Sequence, residues 1–239
     1  LLMTIGLLKE PAHETRVSLL AEAVATLTKK GITVITETGA GARAFCSDAD
    51  YEKAGAVIKS RTEVLKSADL LLTIYQPAAE EMAGLSGKVI IGVFQPLFNI
   101  EQMKTWAAAG LTTFSLDMLP RTTRAQAMDV LSSQANIAGY KAVLTAANNY
   151  GRYFPMFMTA VAGLQAIATS RRLGAVVEVF DTRPAVKEEV MSLGAKFIEV
   201  EGAADASKAG GYAVEQSEDF MQRQKARIAE CTAKADIII

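Results

Sequence analysis

The sequence predicts an α/β protein made of two Rossmann-like domains with parallel sheets. Short apolar runs alternate with amphipathic stretches along the chain, which is the pattern of repeated βα units. The connections between them are short, as expected when helices cover both faces of a parallel sheet. At 239 residues, with 50% of them hydrophobic, the chain is long enough for two buried cores.

Composition narrows the classes of function. The formal net charge is −1 and the Lys and Arg residues are scattered, so we expect no binding to nucleic acid. The longest apolar runs are far shorter than the ~20 residues of a membrane-spanning helix. Cys46 and Cys231 have neither zinc nor disulfide spacing, and the first residues lack the features of a signal peptide. We therefore expect a soluble piece that acts on small molecules in a reducing compartment.

The first domain is predicted to cover residues 1–125. Its apolar runs predict strands, and the amphipathic stretches between them predict helices, one of which ends at Gly31 and one of which begins near Ser47. The strands are expected at residues 3–8, 32–37, 69–75, 88–94 and 111–116.

Two residues near the start of the chain are candidates for function. Arg16 could bind an anionic substrate group, but an arginine paired with Glu14 at the start of a helix is the commoner arrangement. His13, the only histidine, lies in a polar stretch, so we predict that it is a surface residue.

Residues 120–140, PRTTRAQAMDVLSSQANIAGY, predict a loop that runs into a helix, and residues 126–155 form the predicted linking helix. At about 100° per residue, one face of this helix is polar and the opposite face is apolar. The polar face could contact a ligand or pack against a neighbouring loop. It comprises Gln126, Asp129, Ser132, Ser133, Asn136 and Tyr140, and the apolar face comprises Ala127, Leu131, Ala135, Ala138 and Ala142.

The second domain is predicted to cover residues 156–239. A helix that opens around Gly163 is followed by a strand at residues 175–180 and then by Asp181, which is the spacing of a dinucleotide-binding unit. A carboxylate there accepts hydrogen bonds from ribose hydroxyls and favours NAD over NADP. Arg183 favours NADP instead, since an arginine can bind a 2′-phosphate. We give Asp181 more weight because it lies at the strand end itself.

The string from PRTTRAQ to QANIAGY closely resembles a segment of one family. It marks the NAD(H)-binding component (alpha subunit, domain I) of proton-translocating NAD(P) transhydrogenases, in the alanine dehydrogenase/transhydrogenase superfamily. Lys9-Glu10, the ETRV at residues 14–17 and the ETGAG at residues 37–41 are weaker resemblances. The resemblance covers nearly all of the chain, most strongly at residues 120–140 and 161–200.

This resemblance implies a set of site residues and a cofactor. NAD(H) would lie in the cleft between the two domains, with its nicotinamide end at the residues that we expect to be catalytic; no metal is expected. Tyr212 would belong to a mobile loop that closes over the nucleotide, although residues 201–219 could equally form a flexible surface loop. The expected catalytic residues are Arg121, Gln126, Asp129 and Ser132; these four also bind the cofactor, together with Gly163, Asp181, Thr182, Arg183 and Tyr212.

The chain departs from the family pattern at the start of the second domain. In the family a complete strand and the first two glycines of GxGxxG precede the sequence VAGL, whereas here Thr159-Ala160 leads directly into Val161. We therefore expect an incomplete domain, whose first strand and C-terminal part lie outside the chain.

The chemistry expected of the site follows from two acid/base residues that this chain lacks. Alanine dehydrogenases have a histidine and a lysine where this chain has Gln95-Pro96 and Thr73-Ile74-Tyr75, so it has neither acid/base. Hydride transfer between two nicotinamides exchanges no proton at the reacting carbons, and positioning is then the main contribution of the protein.

The predicted function is that of the NAD(H)-binding component of a proton-translocating transhydrogenase. The expected partners are a domain that carries NADP(H), a membrane proton-channel domain and a second copy of the chain. The expected location is peripheral to a membrane, on the cytoplasmic face in bacteria or the matrix side in an organelle. The alternatives are an alanine-type amino-acid dehydrogenase and a non-catalytic NAD-binding module.

Overall fold

The structure is a computed structural model that describes residues 3–82, 84–120, 122–154, 156–159, 163–181, 186–200 and 217–239. The chain divides into two compact units, Leu1–Pro120 and Arg121–Ile239. The boundary therefore lies at Pro120 and not at residue 125. The long helix that we expected as a separate linker is part of the second unit, because its residue Val143 is buried in the core of that unit.

The first unit alternates strands and helices. In chain order these are β1 (Thr4–Leu7), α1 (Ala21–Thr28), β2 (Thr33–Glu37), α2 (Asp48–Lys53), β3 (Val57–Lys59), α3 (Arg61–Ser67), β4 (Leu70–Leu72), α4 (Ala79–Met82), β5 (Val89–Gly92), α5 (Ile100–Ala108) and β6 (Thr112–Ser115). The five strands expected from the sequence are confirmed, and β3 is a strand that the sequence did not predict.

The strands of the first unit form one parallel sheet in the order β3-β2-β1-β4-β5-β6. Neighbouring residues of a strand point to opposite faces, and both faces are buried: Val34 packs in one apolar cluster and Ile35 in the other. The strand order reverses between β1 and β4. In open parallel sheets, ligands bind beyond the carboxyl ends of the strands at such a reversal.

The second unit begins with the longest helix. In chain order its elements are a 3-10 helix (Thr123–Met128), α6 (Val130–Asn149), β7 (Met156–Thr159), α7 (Gly163–Arg172), β8 (Val176–Val179), α8 (Val186–Ser192), β9 (Lys196–Phe197), α9 (Glu218–Lys234) and β10 (Ile237–Ile238). Its core contains Val143 of α6, Ile167 of α7 and Val177 of β8.

The expected absence of a first strand in the second unit is wrong. The sheet order is β10-β7-β8-β9, and β7 pairs in parallel with β8 on one side and with β10 on the other. The four residues of β7 are enough for this pairing, because two of them pair with β10 and all four pair with β8. This sheet also reverses its strand order, between β7 and β10.

No helix in the described part of the chain is both long enough and apolar enough to cross a membrane. Within the same residues, no group of three or more His, Cys, Asp or Glu side chains is arranged to hold a metal ion.

Candidate functional site

The β7–α7–β8 segment has the arrangement of a nucleotide-binding unit. Gly163 is the first residue of α7 and has φ +72°, a backbone conformation that L side chains rarely adopt. A Cβ atom built on Gly163 meets no described atom within 4 Å. Asp181 follows β8 and is half-buried. The structure thus places both residues at the carboxyl ends of adjacent strands, as the spacing predicted.

Gln126 lies in the 3-10 helix that precedes α6, and its side chain is exposed. Among the described residues, its amide has no hydrogen-bond partner. We expected Gln126 and Asp129 to share one face of a regular helix with Ser132, and this is wrong. Asp129 has ψ 86° and lies outside the helix, so the rotation of 100° per residue does not continue through it.

Asp129 is the N-cap residue of α6. Its Oδ1 accepts a hydrogen bond from the backbone N–H of Ser132 at 2.9 Å, and its Oδ2 accepts one from the Ser132 hydroxyl at 2.6 Å. This satisfies one of the backbone N–H groups that a helix start leaves without a partner. The carboxylate and the serine therefore form one hydrogen-bonded unit, which we call the Asp129–Ser132 pair.

The first two turns of α6 are exposed on all sides. Leu131 and Ile137 keep 47% and 51% of their surface in contact with solvent, and Ala135 and Ala138 of the expected apolar face are exposed as well. The apolar face that we expected is present in the sequence, but in the structure its residues in these two turns are exposed. Burial begins at Gly139 and Val143, in the half of α6 that packs into the core of the second unit.

Four predicted site residues lie outside the described residues: Arg121, Thr182, Arg183 and Tyr212. The preference between NAD and NADP that depends on Arg183 therefore stays a prediction. The described candidates all belong to the second unit: Gln126, Asp129, Ser132, Gly163 and Asp181.

In the first unit, the side chain of Glu10 lies at the strand reversal between β1 and β4. Glu10 is only 4% exposed, and its carboxylate accepts hydrogen bonds from the backbone N–H of Ile74 at 2.6 Å and of Tyr75 at 3.0 Å. The hydroxyl of Thr73 donates to the backbone oxygen of Tyr75 at 2.6 Å and lies 3.2 Å from the same carboxylate. Glu10 thus connects the loop after β1 to the loop after β4, at the place where open sheets of this kind bind ligands.

Arg16 is paired with Glu14, as predicted. The guanidinium donates from Nε to Glu14 Oε1 at 2.9 Å and from a terminal nitrogen to Oε2 at 2.6 Å. These hydrogen bonds lower the pKa of Glu14 to about 2. His13 is exposed, also as predicted, and its ring makes an edge contact with Tyr75 at 5.1 Å.

A second group of charges joins β2, α3 and α4. Arg61 donates to Glu37 at 2.9 Å and holds Glu81 with two nitrogens, one of them at 2.9 Å. The hydrogen bonds with Arg61 lower the pKa of Glu81 and, in turn, raise the pKa of Arg61. Sequence reasoning missed this group and Glu10, because residues of such wide separation give no local signal. It also missed the capping role of Asp129, although Asp is one of the residues preferred at the N-cap of a helix.

The residues present fit a nicotinamide dinucleotide. The dinucleotide-binding fingerprint places its third glycine at the start of the helix and a carboxylate at the end of the next strand. Gly163 and Asp181 meet these two requirements. An exposed amide, a hydroxyl and a carboxylate lie at the start of α6 and offer both donors and acceptors.

Fold and site together define a two-unit α/β protein whose second unit is of the dinucleotide-binding class. The sequence profile described as "Alanine dehydrogenase/PNT, N-terminal domain" matches residues 6–138, and the profile of the corresponding C-terminal domain matches residues 159–239. The chain belongs to the alanine dehydrogenase/PNT family, so the resemblance inferred from the sequence is confirmed.

Similar proteins include transhydrogenase subunits. The chain is 39% identical to the NAD(P) transhydrogenase subunit alpha of Cereibacter sphaeroides over 95% of its own length and 47% of that protein. It is 37% identical to the NAD(P) transhydrogenase subunit alpha of Haemophilus influenzae, over 99% of this chain and 49% of that protein. The chain therefore spans about half the length of each of these two relatives.

Solved structures share the fold. A transhydrogenase from Sinorhizobium meliloti matches with a TM-score of 0.86 and 42% identity, over 98% of this chain and 68% of that chain. An L-alanine dehydrogenase matches with a TM-score of 0.79 over 99% of this chain and 65% of that chain. Its identity is 22%, so this second likeness shows the shared fold alone.

Proposed function

We propose that this chain binds NAD(H) through its second unit and serves as the NAD(H)-binding component of a transhydrogenase. One observation carries the proposal: the exposed amide of Gln126 precedes the Asp129–Ser132 pair in a chain of this family. The transhydrogenase subunits among its relatives support the same assignment.

The residues of the second unit take different roles in binding. The pyrophosphate lies at the start of α7, where Gly163 takes the place of the third glycine of the fingerprint, and Asp181 accepts hydrogen bonds from the adenosine ribose. Gln126, Asp129 and Ser132, with Arg121, hold the nicotinamide end. Thr182, Arg183 and Tyr212 complete the binding residues.

When bound, NADH would supply a hydride, which is two electrons with one proton, to NADP+ on a partner domain, and would itself become NAD+. The protein residues orient the carboxamide and ribose and keep the reacting carbon in place, which can account for several kcal/mol of the barrier. Gln95 and Thr73 to Tyr75 supply no imidazole or amine, so these positions lack the two acid/base groups that alanine dehydrogenases have there. This favours transfer between two cofactors over an alanine dehydrogenase.

The partners of the complete enzyme follow from this proposal. An NADP(H)-binding domain receives the hydride, and a membrane domain couples the transfer to proton translocation. The chain acts as a homodimer, peripheral to the membrane that carries those partners.

The proposal is tested by mixing the chain with an NADP(H)-binding transhydrogenase domain and following hydride transfer from NADH to an NADP analogue. We expect transfer that depends on both proteins, and no reduction of NAD by alanine. Transfer that is absent although NADH binds would favour a non-catalytic NAD-binding module. Reduction by alanine would favour the amino-acid dehydrogenase instead.

Gln126→Leu separates positioning from binding. We expect this variant to slow transfer by about 10-fold to 100-fold while NADH affinity changes far less, because a misplaced ring loses near-attack geometry. Gln222→Leu on α9 is the matched control, since Gln222 is also exposed but lies outside the site. An unchanged transfer rate in Gln126→Leu would remove Gln126 from the site.

The choice of cofactor depends on Asp181. We expect NADH to bind more tightly than NADPH, and Asp181→Ala to reduce that difference. Tighter binding of NADPH by the unaltered protein would overturn the assignment of NAD.

A further inference from the structure

We draw no further inference here: the strongest candidate, the exposed apolar surface patch at the β6 edge of the first sheet, where Phe114 of β6 pairs with Ile91 of β5, carries none, because nothing in the structure shows what covers it.

Discussion

Both sheets of this protein reverse their strand order, but the residues that lie at the two reversals differ. In the first unit, between β1 and β4, the buried carboxylate of Glu10 bonds to the backbone N–H groups of Ile74 and Tyr75. In the second unit, the helix that follows β7 begins at Gly163, whose surroundings are open among the described residues. A buried carboxylate thus occupies the reversal of the first unit, whereas no described atom lies within 4 Å of a Cβ built on Gly163 in the second.

The same contrast holds for the polar residues nearby. Glu10, Glu14 and Arg61 in the first unit are bonded to partners of their own unit, whereas the amide of Gln126 has none among the described residues. Polar groups with internal partners stabilise the fold, and exposed groups without them are available to a ligand. Substitutions should therefore affect stability in the first unit and ligand binding in the second.

Glu10→Ala should have the largest effect on stability. It leaves the N–H groups of Ile74 and Tyr75 without the carboxylate in a partly buried place, which we expect to reduce the free energy of unfolding by about 3 kcal/mol. Urea denaturation measures this loss. Glu101→Ala is the control, because Glu101 is exposed and pairs with an exposed lysine. Similar losses in the two variants would contradict a special role for Glu10.

Arg61→Met should have the next largest effect. It removes the guanidinium that lies between Glu37 and Glu81 and leaves two partly buried carboxylates close to each other, at a cost of about 2 kcal/mol. Arg223→Met is the control, since its pair with Asp219 is exposed, and should change stability by less than about 0.5 kcal/mol. A loss in Arg61→Met that is also below about 0.5 kcal/mol would mean that solvent screens this group as well.

Glu14→Gln should have a smaller effect that depends on pH. The pKa of Glu14 is about 2 in the folded protein against an ordinary value of 4.5, so ionised Glu14 stabilises the fold above pH 4.5. At pH 7 we expect a loss of about 1 kcal/mol, because the half-exposed Arg16 is screened by solvent. The difference between the variant and the unaltered protein should shrink as the pH falls from 4.5 towards 2. A difference that is independent of pH would show that packing and not charge is responsible.

Gln126→Ala should have the smallest effect on stability. Its side chain is exposed and has no described partner, so the free energy of unfolding should change by less than about 0.5 kcal/mol. Hydride transfer should nevertheless be slowed far more than NADH binding is weakened. A large loss of stability without a functional change would reverse the contrast between the two units.

The sequence predicts the secondary-structure elements better than it predicts the tertiary contacts. The alternation of apolar and amphipathic stretches locates β1, β2, β4, β5 and β6, because period and turn residues are local signals. It misses β3, which has only three residues and follows Gly55 closely. It also misses β7, since the absence of a complete glycine fingerprint outweighed the four residues that form the strand.

The site shows the same limit. The residue types near the start of α6 are visible in the sequence, and the pairing of Arg16 with Glu14 follows from a separation of two positions. The conformation of Asp129 is not visible, because a helical wheel assumes that the helix has already begun. Contacts of long range, such as that of Glu10 with Ile74, depend on the strand order and cannot be inferred from composition.

Within the described residues, the buried positions of helix α6 lie toward one end only. Val143 fixes that end within the apolar interior of the second unit, and Asp129 lies about 20 Å away at a rise of about 1.5 Å per residue. A small change of tilt near Val143 is therefore magnified at the distal tip. The position of Ser132 therefore depends on how firmly the distant Val143 is packed.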